Sequence, residues 1–335
     1  MKALTNKLLL IVMALALTVF AGCGGGTETT GQGTSSSGQG QSANAPEFIS
    51  IGTAASGSSI YLYGTGLAEL LKDNLKYSQF DIEETGGSIA NMNLVNNDEL
   101  QLALTGGDVL NDALKGQGNF QDKKVEHVSI GWKIAPSVVH FVTLKDSGIR
   151  TIQDMKGKRV SIGASGSAAN LTALTLLKDH GITESDVTLS YLGWNEAVEA
   201  LGDGAIDVAM VFGTLPSPVI ESLGVSKPVS IVSMDPEIIK KDKTRAVYTI
   251  PANTYKGQDQ EVVTAATEVY IVFQQDLDEQ VVYDITKLAM ENTEKLGKVH
   301  PMGAVANVPA KEDVDFLQGT IHPGALKYFK EKGSY

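Results

Sequence analysis

The chain has 335 residues, 42% of them hydrophobic, with 27 Lys+Arg against 39 Asp+Glu and a formal net charge of −12 at pH 7. That acid surplus, with arginine only at Arg150, Arg159 and Arg245, excludes a nucleic-acid binder, since phosphate backbones are held by clustered Lys and Arg; the apolar content excludes an unfolded chain. The single cysteine excludes a disulfide framework and a multi-cysteine metal cluster.

In chain order, Lys2 and Lys7 precede an apolar run from Leu8 to Phe20, interrupted by Thr18. At 1.5 Å per residue such a run covers about 20 Å, short of the roughly 30 Å hydrocarbon core. With Ala21 and Gly22 behind it, residues 1–22 read as a secretory signal. The stretch Phe20-Ala21-Gly22-Cys23 resembles a bacterial lipobox with Phe where Leu is usual, which implies cleavage before Cys23 and acylation of its sulfur and amine. An ordinary signal peptide with an incidental cysteine is the alternative. Removing Lys2 and Lys7 takes the formal charge from −12 to −14. Residues 23–46 are rich in Gly, Ser, Thr and Gln and contain no apolar residue larger than Ala after Cys23. Nothing there offsets the entropy of ordering, so a flexible leash is expected, with a reach of about 25–29 Å. The expected location is exported and lipid-anchored, on the outer face of the bacterial cell membrane or its periplasmic side.

From Glu47 onward, strand-like runs alternate with helical periodicity. Strands are expected at 48–53, 80–85, 100–105, 125–134, 137–144, 159–163, 187–192, 206–212, 229–234, 246–251 and around 265–274. Helices are expected at 60–74, 89–97, 168–180, 194–202, 215–223, as one long element at 277–299, and at 325–331. This alternation predicts an α/β protein with parallel sheets wound by helices. The length favours two α/β lobes, residues 47–140 plus 250–335 and residues 141–249, with 137–144 and 246–251 as candidate crossover strands. Such an arrangement closes like a hinge on a ligand.

Catalytic and metal signatures are missing. Gly163-Ala164-Ser165-Gly166-Ser167 is out of register for G-x-S-x-G, and Gly157-Lys158 lacks the remainder of a phosphate loop. The five histidines form no H-E-x-x-H. Asp276, Asp278 and Glu279 lack the pattern of a calcium loop and read as a helix start favoured by the dipole. His140 reads as a core residue, and His300-Pro301 and His322-Pro323 read as turns. An enzyme is not expected, and neither a cofactor nor a metal site.

Five small-residue loops instead follow strands and open helices: 52–59, Thr85-Gly86-Gly87-Ser88, Thr105-Gly106-Gly107-Asp108, 163–170 and 213–217. Strand C-termini are where open α/β sheets bind ligands, and free N–H groups at helix starts hold carboxylate or phosphate without arginine. Taken singly, each loop is equally an ordinary N-cap.

The chain also resembles the TAXI branch of solute receptors for tripartite ATP-independent periplasmic (TRAP) transporters. The likeness is carried by Gly52-Thr53-Ala54-Ala55-Ser56-Gly57-Ser58 with Tyr61, by Thr85–Ser88, by 145–163, by Pro251-Ala252-Asn253-Thr254-Tyr255 and Gly257-Gln258-Asp259, by 281–292, and by the ending 322–329 with Glu331 and Gly333. It spans nearly all of 47–333. Ala54 and Ala55 stand where that family has glycines. Gly106-Gly107 replaces Gln-Ser before the aspartate matched to Asp108, and Ser137 follows Pro136 where Glu is frequent.

The resemblance implies a type II periplasmic-binding-protein fold, a small carboxylate ligand (glutamate- or glutamine-like, or a dicarboxylate), and a TRAP-type membrane permease as partner. A monomer is expected, tied to membrane lipid through Cys23. The expected ligand shell has Thr53, Ser56, Ser165, Ser167 and Asn170 around one carboxylate and Ser88, Gly213 and Thr214 at the other polar end. Tyr61 and Tyr255 would cover the apolar middle, with core packing as the alternative for each. Thr85, Thr105 and Asp108 complete the candidate set. The alternatives are a lipoprotein serving an ABC importer or a ligand sensor of the same fold, and, from another class, a lipid-anchored enzyme using the same cleft.

Overall fold

The computed structural model describes residues 44–335; the predicted signal, Cys23 with its lipidation, and the leash up to residue 43 lie outside the described residues. The chain runs β1 (Phe48–Gly52), α1 (Ser59–Asn74), β2 (Gln79–Glu83), α2 (Ser88–Asn96), β3 (Leu102–Gly106), α3 (Gly107–Lys115) and the long β4 (Val128–Leu144). Then come β5 (Arg159–Ser161), α4 (Ala168–Asp179), β6 (Thr188–Ser190), α5 (Trp194–Gly202), β7 (Val208–Gly213), α6 (Pro218–Ser226), β8 (Val229–Ile231), α7 (Pro236–Ile239) and β9 (Ala246–Ile250). The chain ends with β10 (Val262–Gln274), α8 (Glu279–Glu291), α9 (Thr293–Val299), β11 (Ala306–Asn307), α10 (Lys311–Leu317) and α11 (Pro323–Glu331).

The strands hydrogen-bond in the order β2-β1-β3-β10-β4-β7-β5-β6, with β8 and β11 on β4 and β9 on β10. The pairs β1/β2, β1/β3, β5/β6 and β5/β7 are parallel, as the βα alternation requires. The junctions β3/β10, β10/β4 and β4/β7 are antiparallel. β4 and β10 each serve both halves, contributing to two apolar clusters in each. Trp132 and Ile134 of β4 and Ile271 and Phe273 of β10 pack with Tyr63, Phe80 and Phe329; Ile130, Tyr270 and Val272 join Met92, Leu110 and Phe120 on the other face. Farther along the same strands, Val139, Phe141 and Ala265 pack with Val160, Leu176 and Met210, while Val138, Val142 and Ala266 pack with Leu201, Ile220 and Tyr255.

Several elements differ from expectation for physical reasons. The strands expected at 125–134 and 137–144 are one strand. Pro136 lacks the N–H a ladder needs, and the structure sets it where the register shifts, Ser137 facing Thr267 and Ile134 facing Val269. That bulge lets the strand continue past a proline. The second strand shared by both cores is β10, not 246–251: β9 is five residues long and pairs only with Val262–Ala266. Ile250, Tyr255 and Val262 lie in the core with Leu201 and Ile220, so the segment after residue 250 packs with the residues expected in the other lobe. The helix expected at 277–299 is two helices broken at Asn292, whose side chain donates to the Leu288 carbonyl (2.9 Å); Asn competes with helical bonding in this way. α3 starts at Gly107, inside the loop expected to open a helix, and Val109, Leu110, Ala113 and Leu114 give it a buried face. Asp278 caps α8 by accepting from Gln280 N–H and Val281 N–H, in keeping with a helix start there.

His140 lies fully buried on β4 with Nε2 3.0 Å from the Tyr255 hydroxyl, and burial lowers its pKa to about 4. The unfolded chain, with an ordinary imidazole near 6.5, binds the extra proton between those values. Stability from this group is therefore present above about pH 6.5 and is lost as pH falls toward 4. We expect denaturant midpoints to drop through that window by an amount equivalent to about 3 kcal/mol, and a folded His140→Gln variant to flatten the drop; an equally steep drop in the variant assigns it elsewhere.

Candidate functional site

The helix starts of the two halves face one another where β4 and β10 pass between the cores. Ser58 caps α1 by accepting from Tyr61 N–H (3.2 Å), and Ser167 caps α4 by accepting from Asn170 N–H (3.2 Å). The first N–H groups of each helix have no intrahelical partner and, with the dipole, favour an anionic group. Gly87, in a backbone conformation open to glycine (φ 85°), precedes α2. Ser88 at its start accepts from Gly106 N–H (3.0 Å) and keeps its own hydroxyl hydrogen to give. Thr267 of β10 stands beside them, since a Cβ on Gly106 would lie 3.6 Å from its methyl and 3.8 Å from Ser88 Oγ.

Direct hydrogen bonds join the halves on two flanks. Thr214, after β7, is inserted between Ser59 of α1 (Oγ to Oγ1, 2.8 Å) and His300 (Nε2 to Oγ1, 3.3 Å). His300 Nδ1 accepts from Met302 N–H (3.3 Å), so Nε2 carries the hydrogen and donates to Thr214; burial lowers the pKa of this imidazole. Glycine at 213 makes room for the approach, because a Cβ there would sit 3.3 Å from Ser59 Oγ. On the other flank, Thr172 of α4 donates to Asp108 of α3 (3.2 Å). Asp108 also accepts from Val109 N–H (2.9 Å), but burial outweighs these bonds and raises its pKa.

The residues expected to touch ligand divide. Gly213, Thr214 and Asp108 take part in the contacts between the halves, while Ser88, Ser167 and Asn170 lie at the starts of α2 and α4. Asn170 is 5% exposed with Nδ2 unpartnered, and Thr267 is 1% exposed with Oγ1 unpartnered. Buried donors left without partners cost about 1–3 kcal/mol. Ser165 and Ser56 are exposed in the loops that open α4 and α1, and Ser56 N–H is taken by Glu84 Oε1 (3.0 Å). Tyr61 is half-buried on α1.

Thr53 is fully buried and spends its hydroxyl on the Glu83 carbonyl (2.6 Å), a bond that holds the loop and leaves nothing for a ligand. Thr85 Oγ1 lies 2.9 Å from the Thr53 carbonyl and 2.7 Å from Asn91 Oδ1, and Thr105 is fully buried on β3. Tyr255 is a core residue, its hydroxyl accepting from Ser217 N–H (2.8 Å) beside His140; the core alternative prevails. Ser59, His300 and Thr267 escaped the sequence reading. Ser59 sits in the first Ser/Gly loop beside the cap, which is a usable signal, whereas Thr267 lies in a strand with none. His300 and His322 are caps, of the turn at Pro301 and of α11. Among the described residues no group of three or more His, Cys, Asp or Glu is placed to hold a metal ion, and no helix is long and apolar enough to cross a membrane.

Comparison with known proteins bears on the fold and the family. The NMT1-like family matches residues 51–333. The methylphosphonate complex of PhnD1 from Prochlorococcus marinus superimposes with a TM-score of 0.53 at 10% identity, over 86% of this chain and 99% of that one. A binding-protein component of an ABC phosphonate transporter from Pseudomonas aeruginosa gives 0.50 at 12% identity, over 80% and 83%. The fold is that of the type II periplasmic binding proteins.

Thr214→Val should leave His300 Nε2 buried without its acceptor and Ser59 Oγ with only the residue-214 N–H (3.4 Å), at a cost of about 1–3 kcal/mol. Urea denaturation should show a lower midpoint with an unchanged slope; an unaltered midpoint would mean that the Thr214 contact carries no stability.

Proposed function

The chain belongs to the NMT1-like family, and from that premise we propose that it is an extracytoplasmic solute-binding protein that delivers a small oxyanion to a membrane importer. The single observation that carries this reading is the direct contact between helix starts of the two halves, Ser59 with Thr214 and Asp108 with Thr172, with Asn170 Nδ2 buried and unpartnered at the α4 start and Thr267 Oγ1 likewise on β10. Such a junction captures and releases; it holds no nucleophile–base pair for turnover. A carboxylate suits it, and so does a phosphonate, the ligand of the Prochlorococcus protein. Ser88, Ser167, Asn170, Thr267 and the loop at Ser165 form the proposed shell, with Gly213 and Thr214 at its edge. Two lobes, divided where β4 and β10 cross, close on the solute; Cys23, acylated, tethers the domain to the membrane.

An ABC importer is the favoured partner, because the Pseudomonas neighbour belongs to one. A TRAP permease is the second reading, favoured by the likeness at 322–329 and 251–259. Uptake by the reconstituted partner decides between them: accumulation that needs ATP hydrolysis supports the ABC reading, and accumulation driven by an ion gradient alone supports TRAP.

A thermal-shift screen of the purified protein against carboxylates, phosphonates, sulfonates and sugars tests the binding reading. A bound oxyanion at 100 times its Kd should add about 2.7 kcal/mol of stability. Asn170→Ala and Thr267→Val should each weaken that ligand about tenfold or more, since a bond to a charged group contributes about 1.5–3 kcal/mol. A response to sugars alone, or unchanged affinity in both variants, removes the assignment.

A further inference from the structure

A cavity of about 250 Å³ lies between α3 and α4, bordered by the turn that carries Asp242 and Arg245. Of the residues placed in the proposed shell or at its edge, none lines it; Asp108 does. Three carboxylates, Asp108, Asp112 and Asp242, line it against one guanidinium. That guanidinium is ion-paired, Nε lying 3.4 Å from Asp242 and Nη1 3.5 Å from Asp179, although Nε makes no hydrogen bond. Asp108 has the Thr172 hydroxyl and its neighbouring N–H, and Asp112 has the Asn111 side-chain amide (3.4 Å). Loss of water raises both carboxyls above the usual range. The ammonium of Lys115, three residues beyond Asp112, sits 4.1 Å over the Phe316 ring.

A second observation is independent of the acids. Asn111 lines the cavity, is 7% exposed, and has an unpartnered Oδ1. Its Nδ2 faces Asp112, and an ionised carboxylate only accepts, which fixes the amide so that the orphan end is the acceptor. Residues 108, 111 and 112 share one face of α3. They present acceptors to a cavity whose other walls include Ile89, Val109 and Leu171. A primary ammonium has three donors and no acceptor, and a short alkyl chain behind it suits the apolar wall. An anion would meet the carboxylates without a free cation to balance them.

We propose that the cavity between α3 and α4 binds a small aliphatic amine, its ammonium on Asp108, Asn111 Oδ1 and Asp112 and its chain against the apolar wall. Because α3 packs in one core and α4 in another, a bound amine spans the two halves beside the oxyanion junction. The site shares Asp108 and Thr172 with the contact between halves but none of the proposed shell residues, so the two readings fail separately.

The test is a titration of the purified protein with butylamine hydrochloride at pH 7, followed by thermal shift and by amide chemical shifts. Butanol, sodium butyrate and calcium chloride are the comparison arms. The expected result is a saturable rise in Tm with butylamine alone and shift changes confined to 107–120, 168–175, 242–245 and Ile89. Asp112→Asn should weaken the amine at least tenfold, and Asn111→Leu is the second variant; should neither fold, butylamine against butanol on the natural protein still decides. Equal responses to butylamine and butanol, a response to calcium in place of amine, or undiminished affinity in a folded Asp112→Asn overturns the proposal. An oxyanion response without an amine response ends this proposal and leaves the solute reading standing.

Discussion

The structure depends on two long antiparallel strands that belong to both cores at once. β4 and β10 run 17 and 13 residues, far beyond the usual five or six, and every other strand attaches on one side or the other of their pairing. Pro136 is the cost of this arrangement and also its register mark. It cannot donate to the ladder, so the pairing must slip there, and the slip lies at the changeover between the residues that pack with Trp132 and those that pack with Phe141. The helix starts of both halves gather around that point because the parallel strands on each side end facing it.

Much of this was readable in residue order. The alternation in Phe48–Gly52 and the Ser caps at 58 and 167 mark β1, α1 and α4 within a residue or two, since cap chemistry and side-chain period are local properties. The loop at 105–108 marks the start of α3, and Val109, Leu110, Ala113 and Leu114 spell its buried face. What order alone does not carry is contact at a distance. Thr214 meets Ser59 across 155 positions and His300 across 86, and no periodicity links them. Thr53 and Tyr255 have the residue types of ligand contacts, and only the fold shows their hydroxyls already engaged.

The net charge of −12 is at odds with an anionic solute only at long range. Exposed charges beyond about 8 Å are screened at physiological salt, while a helix start acts through direct hydrogen bonds. The same chain therefore offers donors at the α1, α2 and α4 starts and acceptors along α3, two opposite electrostatic surroundings side by side. Arg245 does not bridge them, because it is spent on Asp242 and Asp179.

Asn91 gives the junction a property that no contact with ligand would reveal. Its amide donates to the carbonyls of Thr53 and Leu104, each at 2.7 Å, and its oxygen lies 2.7 Å from the Thr85 hydroxyl. One fully buried side chain thus clamps the ends of three loops before any solute arrives. Ordering those loops is charged to folding, so under the proposed function recognition would begin from a preordered frame. Selectivity among solutes of similar charge then becomes a question of size and shape, as in a mould and not a glove.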